Sequence, residues 1–122
     1  MSLTFYWYPK CGTCRKAKQW LEAAGQSLDA IDLFQTPPSA EELGKLVELS
    51  GLDSSKFFNT SGEVYRELKL KDKLPGMSLE EKLMLLAGNG RLIKRPLVTD
   101  GSRVTVGFKE EDYEKVWGSG GR

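Results

Sequence analysis

The chain has 122 residues, 39% hydrophobic and 29% charged, with a formal net charge of +1. That length suits one domain with a buried core, and the charge balance excludes an acidic solvating chain and a protein that holds nucleic acid by bulk electrostatics, so no direct DNA binding is expected. Histidine is absent, which excludes Ser-His-Asp and Cys-His catalysis and imidazole metal ligands. Chemistry must therefore run on Cys, Lys, Arg, Asp, Glu, Ser, Thr or Tyr.

Leu3–Tyr8 is aromatic-rich and reads as a buried strand, broken by Pro9-Lys10. After Cys11-Gly12-Thr13-Cys14 a helical pattern begins, with Cys14, Ala17, Leu21 and Ala24 on one face and Gly25 as its stop. Leu28–Phe34 reads as a second strand. The first third of the chain is thus a βαβ unit, whose crossover implies parallel strands. Pro37-Pro38 marks a turn, and Ser39 with Glu42 forms a capping box ahead of a helix carrying Leu43, Leu46, Val47 and Leu49. Gly51 is read as that helix's C-cap. Asp53–Phe58 reads as a short helical turn, Asn59–Gly62 as a polar loop, and Glu63–Leu70 as helix. Pro75-Gly76 is a turn, and Ser78 with Glu81 is a second capping box, for a helix ended by Gly88-Asn89-Gly90. Leu97–Thr99 reads as a strand, Asp100-Gly101 as a hairpin turn, and Arg103–Gly107 as the returning strand with Val104 and Val106 on one face. Glu110-Glu111-Asp112 opens a last helix through Trp117, where the macrodipole favours negative charge. The expected fold class is α/β: an N-terminal βαβ and a C-terminal ββα part separated by a helical insertion, in a single domain over residues 1–117 with a flexible tail at 118–122.

No basic segment precedes a long apolar stretch, and none approaches the ~20 apolar residues of a membrane span. A cytoplasmic protein without membrane contact is expected. There, a close cysteine pair is redox-active or metal-binding more readily than a permanent crosslink. Two thiols without histidine fall short of a zinc ligand set, so no metal is expected. The chain shows no motif for an organic cofactor either.

Cys11-x-x-Cys14 sits between a strand and a helix. A thiolate at a helix N-terminus faces free backbone N–H groups and the positive end of the dipole, so its pKa falls. Lys10, Arg15 and Lys16 add positive charge. Cys11 is therefore the candidate nucleophile, and Cys14, one turn along, the resolving thiol of a dithiol–disulfide couple. The same helix start is an anion cradle. Arg95-Pro96 is a second candidate feature, an arginine placed to reach the anion site.

Four segments together carry a resemblance: Tyr8-Pro9-Lys10-Cys11-Gly12-Thr13-Cys14-Arg15-Lys16-Ala17, Pro37-Pro38-Ser39-x-x-Glu42-Leu43, Leu92-Ile93-Lys94-Arg95-Pro96-Leu97-Val98 and Val106-Gly107-Phe108-Lys109-Glu110-Glu111. They resemble the arsenate reductase (ArsC) family, and within it the Spx/MgsR-like branch, over Leu3 to Trp117. The resemblance implies a thioredoxin-like fold with a helical insertion, and a cis-proline at Pro96 facing the cysteine. It implies that Cys11 attacks arsenate or another oxyanion. Gly12 and Thr13 would form the anion loop, with Lys10, Arg15 and Arg95 holding the anion. Thioredoxin or a glutathione/glutaredoxin system is the implied reductant. Arsenate reductases of the glutaredoxin-coupled kind have Ser at the Cys14 position and arginines where this chain has Asn59 or Thr60 and Val106 or Gly107. The Cys14 pairing is similar to Spx, which implies the alternative of a redox-sensing regulator that binds the RNA polymerase α-subunit.

Overall fold

The structure, a computed structural model, describes residues 2–118. Apart from Gly118, the tail expected at 118–122 lies outside the described residues. In chain order the elements are β1 (Ser2–Trp7), α1 (Gly12–Ala23), β2 (Ser27–Asp32), α2 (Ala40–Ser50), α3 (Glu63–Glu67), α4 (Leu70–Lys73), α5 (Leu79–Gly88), β3 (Leu97–Thr99), β4 (Val104–Val106) and α6 (Glu110–Trp117). Turns of 3-10 helix lie at Ser54–Phe57, Leu74–Gly76 and Gly90–Leu92. The chain forms two compact units: one runs to Asp32 and resumes at Arg95, and the other is Leu33–Lys94.

The first unit is built on a four-stranded mixed sheet in the order β2-β1-β3-β4. β1 is parallel to β2 and antiparallel to β3, and β3 is antiparallel to β4. Side chains alternate along a strand, so Leu3, Phe5 and Trp7 share one face of β1. Against that face pack Ala17 and Leu21 of α1 and Tyr113 and Trp117 of α6, with Val98 of β3. Each helical pair is spaced i,i+4, which puts both members on one stripe. Trp20 and Phe108 meet the Tyr113 ring edge-on at 5.5 and 4.8 Å between centroids. The buried polar tips are satisfied: Trp117 Nε1–H donates to Thr105 Oγ1 at 2.9 Å and Tyr113 O–H to the Gly107 carbonyl at 3.1 Å.

One strand reading is corrected here. β2 ends at Asp32, not Phe34, because its parallel register with β1 ends at Trp7↔Asp32. Leu33 is instead fully buried in the second unit. In β4, Val104 and Val106 are half-buried, and Thr105 between them points inward to serve Trp117.

In the second unit both capping boxes form: Ser39 with Glu42, and Ser78 with Glu81. Gly51 closes α2 at φ 70°, in the left-handed region that glycine adopts without a Cβ penalty. α2 and α5 pack together, and Leu83 would lie only 3.4 Å from a Cβ at Gly44. The helix expected over Glu63–Leu70 is broken. Lys69 takes φ 54°, and a separate turn of helix, α4, covers the charged run Lys71-Asp72-Lys73. The break aims Leu70 and Leu74, four residues apart, into the interior. A pairing of Phe58 with Ile93, flanked by Asn59 N–H to Leu92 O at 2.7 Å and Lys94 N–H to Phe57 O at 2.8 Å, ties the loop to the segment leading into Arg95. Gly90 is sterically required, since a Cβ there would strike the Leu33 carbonyl. A βαβ half and a ββα half share one mixed sheet, with helices inserted between them in the chain. This is the α/β, thioredoxin-like architecture with a helical insertion.

Candidate active site

Pro9 prevents β1 from continuing, and the chain turns directly into α1. Cys11 N–H donates to the Tyr8 carbonyl at 3.0 Å, and the Cys11 carbonyl accepts from Arg15 N–H at 3.1 Å. Cys11 thereby becomes the N-cap of α1, with extended φ and ψ of −86° and 121°. Gly12 and Thr13 form the first exposed turn, and Cys14 is the third helical residue, fully buried beside Ala17 and Leu21. Both thiols are free, and Cys11 is half-exposed.

Across from them, the Arg95–Pro96 peptide is cis, directly ahead of β3. The Pro96 carbonyl accepts from Gly107 N–H at 2.9 Å. Gly107 has φ 79°, a conformation that disfavours arginine or any other L side chain there. The Arg95 guanidinium lies 5.8 Å from the Tyr8 ring centroid, with Nε and Nη1 buried.

The two sulfurs are made unlike by their surroundings. Burial alone would raise the Cys11 pKa. It is outweighed by hydrogen bonds to the sulfur from the Cys14 backbone N–H, the Cys14 thiol and Arg95, together with the Arg95 charge, so the pKa lies below the ordinary thiol value. Cys14 is pushed the other way, to about 12. Burial is the chief cause; the Tyr8 backbone N–H opposes it, while the hydrogen bond to Cys11 and the Cys11 charge add to it. Cys11 therefore ionises ahead of Cys14, which keeps its proton.

The structure therefore brings Cys11, Cys14 and Arg95 together. Lys10, Gly12, Thr13 and Arg15 are exposed beside Cys11 on the strand-to-helix turn. A Cβ at Gly12 would meet nothing within 4 Å, so space alone does not demand glycine there. Sequence reasoning missed Tyr8, whose carbonyl, N–H and ring serve Cys11, Cys14 and Arg95 in turn. It also missed Tyr113, which anchors Gly107 and through it Pro96. Its only signal was the i,i+4 spacing with Trp117. Among the described residues, no three Cys, Asp or Glu side chains converge as a metal-holding group, and no helix is long and apolar enough to cross a membrane.

Comparison with known proteins follows this geometry. The Bacillus subtilis (strain 168) protein YusI is 65% identical over 96% of this chain and 99% of its own length. Regulatory protein MgsR of the same organism is 31% identical over 93% of this chain and 89% of its own length. The solved structure of a possible arsenate reductase from Streptococcus mutans UA159 superposes with a TM-score of 0.84 at 49% identity, covering 92% of this chain and 97% of that one. A model of the ArsC family matches residues 6–116, spanning the cysteine turn, the insertion, the cis-proline and α6, and the chain belongs to the ArsC family.

Proposed function

We propose that the protein is a thiol–disulfide oxidoreductase of the cytoplasm that works through Cys11 and Cys14. The observation that carries this reading is the placement of two free thiols one helical turn apart at the start of α1, Cys11 half-exposed at the N-cap and Cys14 fully buried, with surroundings that push their pKa values in opposite directions. Cys11 is the nucleophile because it is the more readily ionised and the half-exposed sulfur. Arg95 holds the thiolate and, with Lys10, Arg15 and the turn at Gly12 and Thr13, receives an oxyanion. With arsenate, the Cys11 thiolate displaces one oxygen as water and forms a sulfur–arsenic bond. Cys14 then passes its proton to an oxygen of the arsenic group and attacks the Cys11 sulfur. The new sulfur–sulfur bond forms as the sulfur–arsenic bond breaks, and that bond's electron pair stays on arsenic. Two thiols are oxidised to a disulfide, and As(V) is reduced to arsenite. Thioredoxin or a glutathione/glutaredoxin system would return the dithiol.

The order of events has a physical basis. The hydrogen bond to Cys11 and the Cys11 charge are two of the causes that keep Cys14 protonated. Once Cys11 is bonded to arsenic or another sulfur, its negative charge is gone and Cys14 ionises more easily. Reaction at Cys11 thereby removes part of what holds the Cys14 proton, and burial holds the rest.

A second reading rests on the likeness to MgsR and on the presence of Cys14. In it the same disulfide is a switch that alters binding to the RNA polymerase α-subunit. Intact mass after mixing reduced protein with arsenate, alone and with glutathione, separates the readings, with a generic thiol oxidant in parallel. Loss of two hydrogens with arsenate supports the oxyanion reductase. Loss with the oxidant alone, together with capture of the α-subunit by only one redox form, supports the switch. No disulfide under any condition contradicts both.

A further inference from the structure

The second unit holds a cavity of about 310 Å³ that the thiol chemistry does not use. It is lined by Thr60, Tyr65, Arg66, Lys69 and Lys71, with Asp72 as the one acidic residue. The unit as a whole is electrically balanced, with nine Lys and Arg against nine Asp and Glu over residues 33–94. Three cations against one anion at a single cavity is therefore a local concentration.

These cations are also uncommitted. Among the described residues, Lys18, Lys45 and Arg103 are paired with neighbouring carboxylates, whereas Arg66, Lys69 and Lys71 are in no ion pair. This holds although Glu67 stands four residues before Lys71, a spacing that suits such a pair. Arg66 Nη1 donates to the Ser61 carbonyl at 3.2 Å, which holds the guanidinium at the loop. Lys69 is the only non-glycine described residue at positive φ, and Lys69, Lys71 and Asp72 around this left-handed turn line the same cavity as Thr60. Tyr65 is half-buried, with the Phe58 ring 6.5 Å behind it, so its ring is backed by the core.

We propose that this cavity binds a phosphate monoester carried on a flat apolar body. The cavity's net charge of two positive matches a phosphate monoester, at about −1.5 to −2 near neutral pH, better than a monocarboxylate. Arginine and lysine bind phosphate oxygens through charge-assisted hydrogen bonds, Thr60 adds a hydroxyl, and the Tyr65 ring with the lysine and arginine stems covers the apolar part. A volume on the order of ten liquid-water shares fits a single ring with its phosphate.

The probe is phenyl phosphate, titrated into the full-length reduced protein and followed by amide and side-chain NMR shifts. Saturable shifts are expected at Thr60, Tyr65, Arg66, Lys69 and Lys71. Inorganic phosphate should bind more weakly at the same residues, and phenol should not shift them. Replacing both lysines (Lys69→Gln with Lys71→Gln) should weaken phenyl phosphate roughly tenfold, whereas Lys45→Gln, on the exposed face of α2, should leave it unchanged. Tyr65→Leu should cost affinity for phenyl phosphate but not for inorganic phosphate. Non-saturating shifts spread over all exposed lysines would overturn the proposal, as would equal affinity of the double variant. Inorganic phosphate binding as tightly as phenyl phosphate would overturn the role given to Tyr65.

Discussion

Arg95 is the residue on which the chemistry of Cys11 turns. It supplies both a hydrogen bond and a charge to the sulfur, and it directly precedes Pro96, whose carbonyl accepts from Gly107 N–H. Replacing Arg95 with Ala should raise the Cys11 pKa toward the ordinary thiol value of 9.0. The check is the pH dependence of Cys11 alkylation, read by peptide mass. Its midpoint should lie below that value in the parent and move up in the variant; an unmoved midpoint would remove Arg95 from the site. The cysteine pair was legible in the sequence, because thiol chemistry needs a nucleophile and a partner and the chain has only two cysteines; the cis-proline at Pro96 was legible only through the family resemblance. Tyr8 was not, since two of its three contributions come from backbone atoms, which no residue type announces.

At the scale of the element, two helices start by one geometric rule and α1 departs from it. In α2 and α5 a serine N-cap accepts from the N3 amide, and the N3 glutamate reaches back to the N-cap backbone. In α1 the N-cap is Cys11, whose side chain makes no cap bond, and N3 is Cys14, whose proximity helps to lower the Cys11 pKa. The first turns of α2, α5 and α6 carry acidic residues, while α1 has none. The positive end of its dipole is thus left to the thiolate. A cap that is only structural behaves differently from one that reacts. Ser39→Ala should cost about 1 kcal/mol of stability, measured by denaturant unfolding, with no change in Cys11 alkylation. Both boxes were legible from Ser-x-x-Glu spacing. The break at Lys69 was not, because the apolar spacing over 63–70 fits a continuous helix, and only burial of Leu70 and Leu74 decides otherwise.

For the whole molecule, burial couples the thiols and Tyr113 to stability. Cys14 keeps its proton to about pH 12 when folded but releases it near 9.0 when unfolded. Tyr113 is likewise raised, by burial foremost, above its ordinary 10.0. In both cases the folded state binds more protons, so stability is fully present below the unfolded pKa and falls as pH rises through this range. Cys11 has the opposite sign: its lowered pKa adds stability that is lost as pH falls through the folded value. The reduced protein should therefore lose stability steadily above pH 9, in unfolding curves taken at successive pH values. Cys14→Ala should flatten that loss near its onset, and Tyr113→Phe should flatten it at higher pH. The α/β class, the insertion and the order of elements were legible, since their apolar periods and turn residues agree. The end of β2 was not, because it depends on how far β1 extends as its partner.

The central claim is a division of labour between two sulfurs, and trapping tests it most directly. Reduced Cys14→Ser protein is mixed with a small disulfide such as oxidised glutathione, and the adduct is located by intact and peptide mass. The account predicts one stable mixed disulfide on Cys11, none in Cys11→Ser, and in the parent an adduct that resolves to an internal disulfide. Rapid labelling of Cys14 in the Cys11→Ser protein would contradict it.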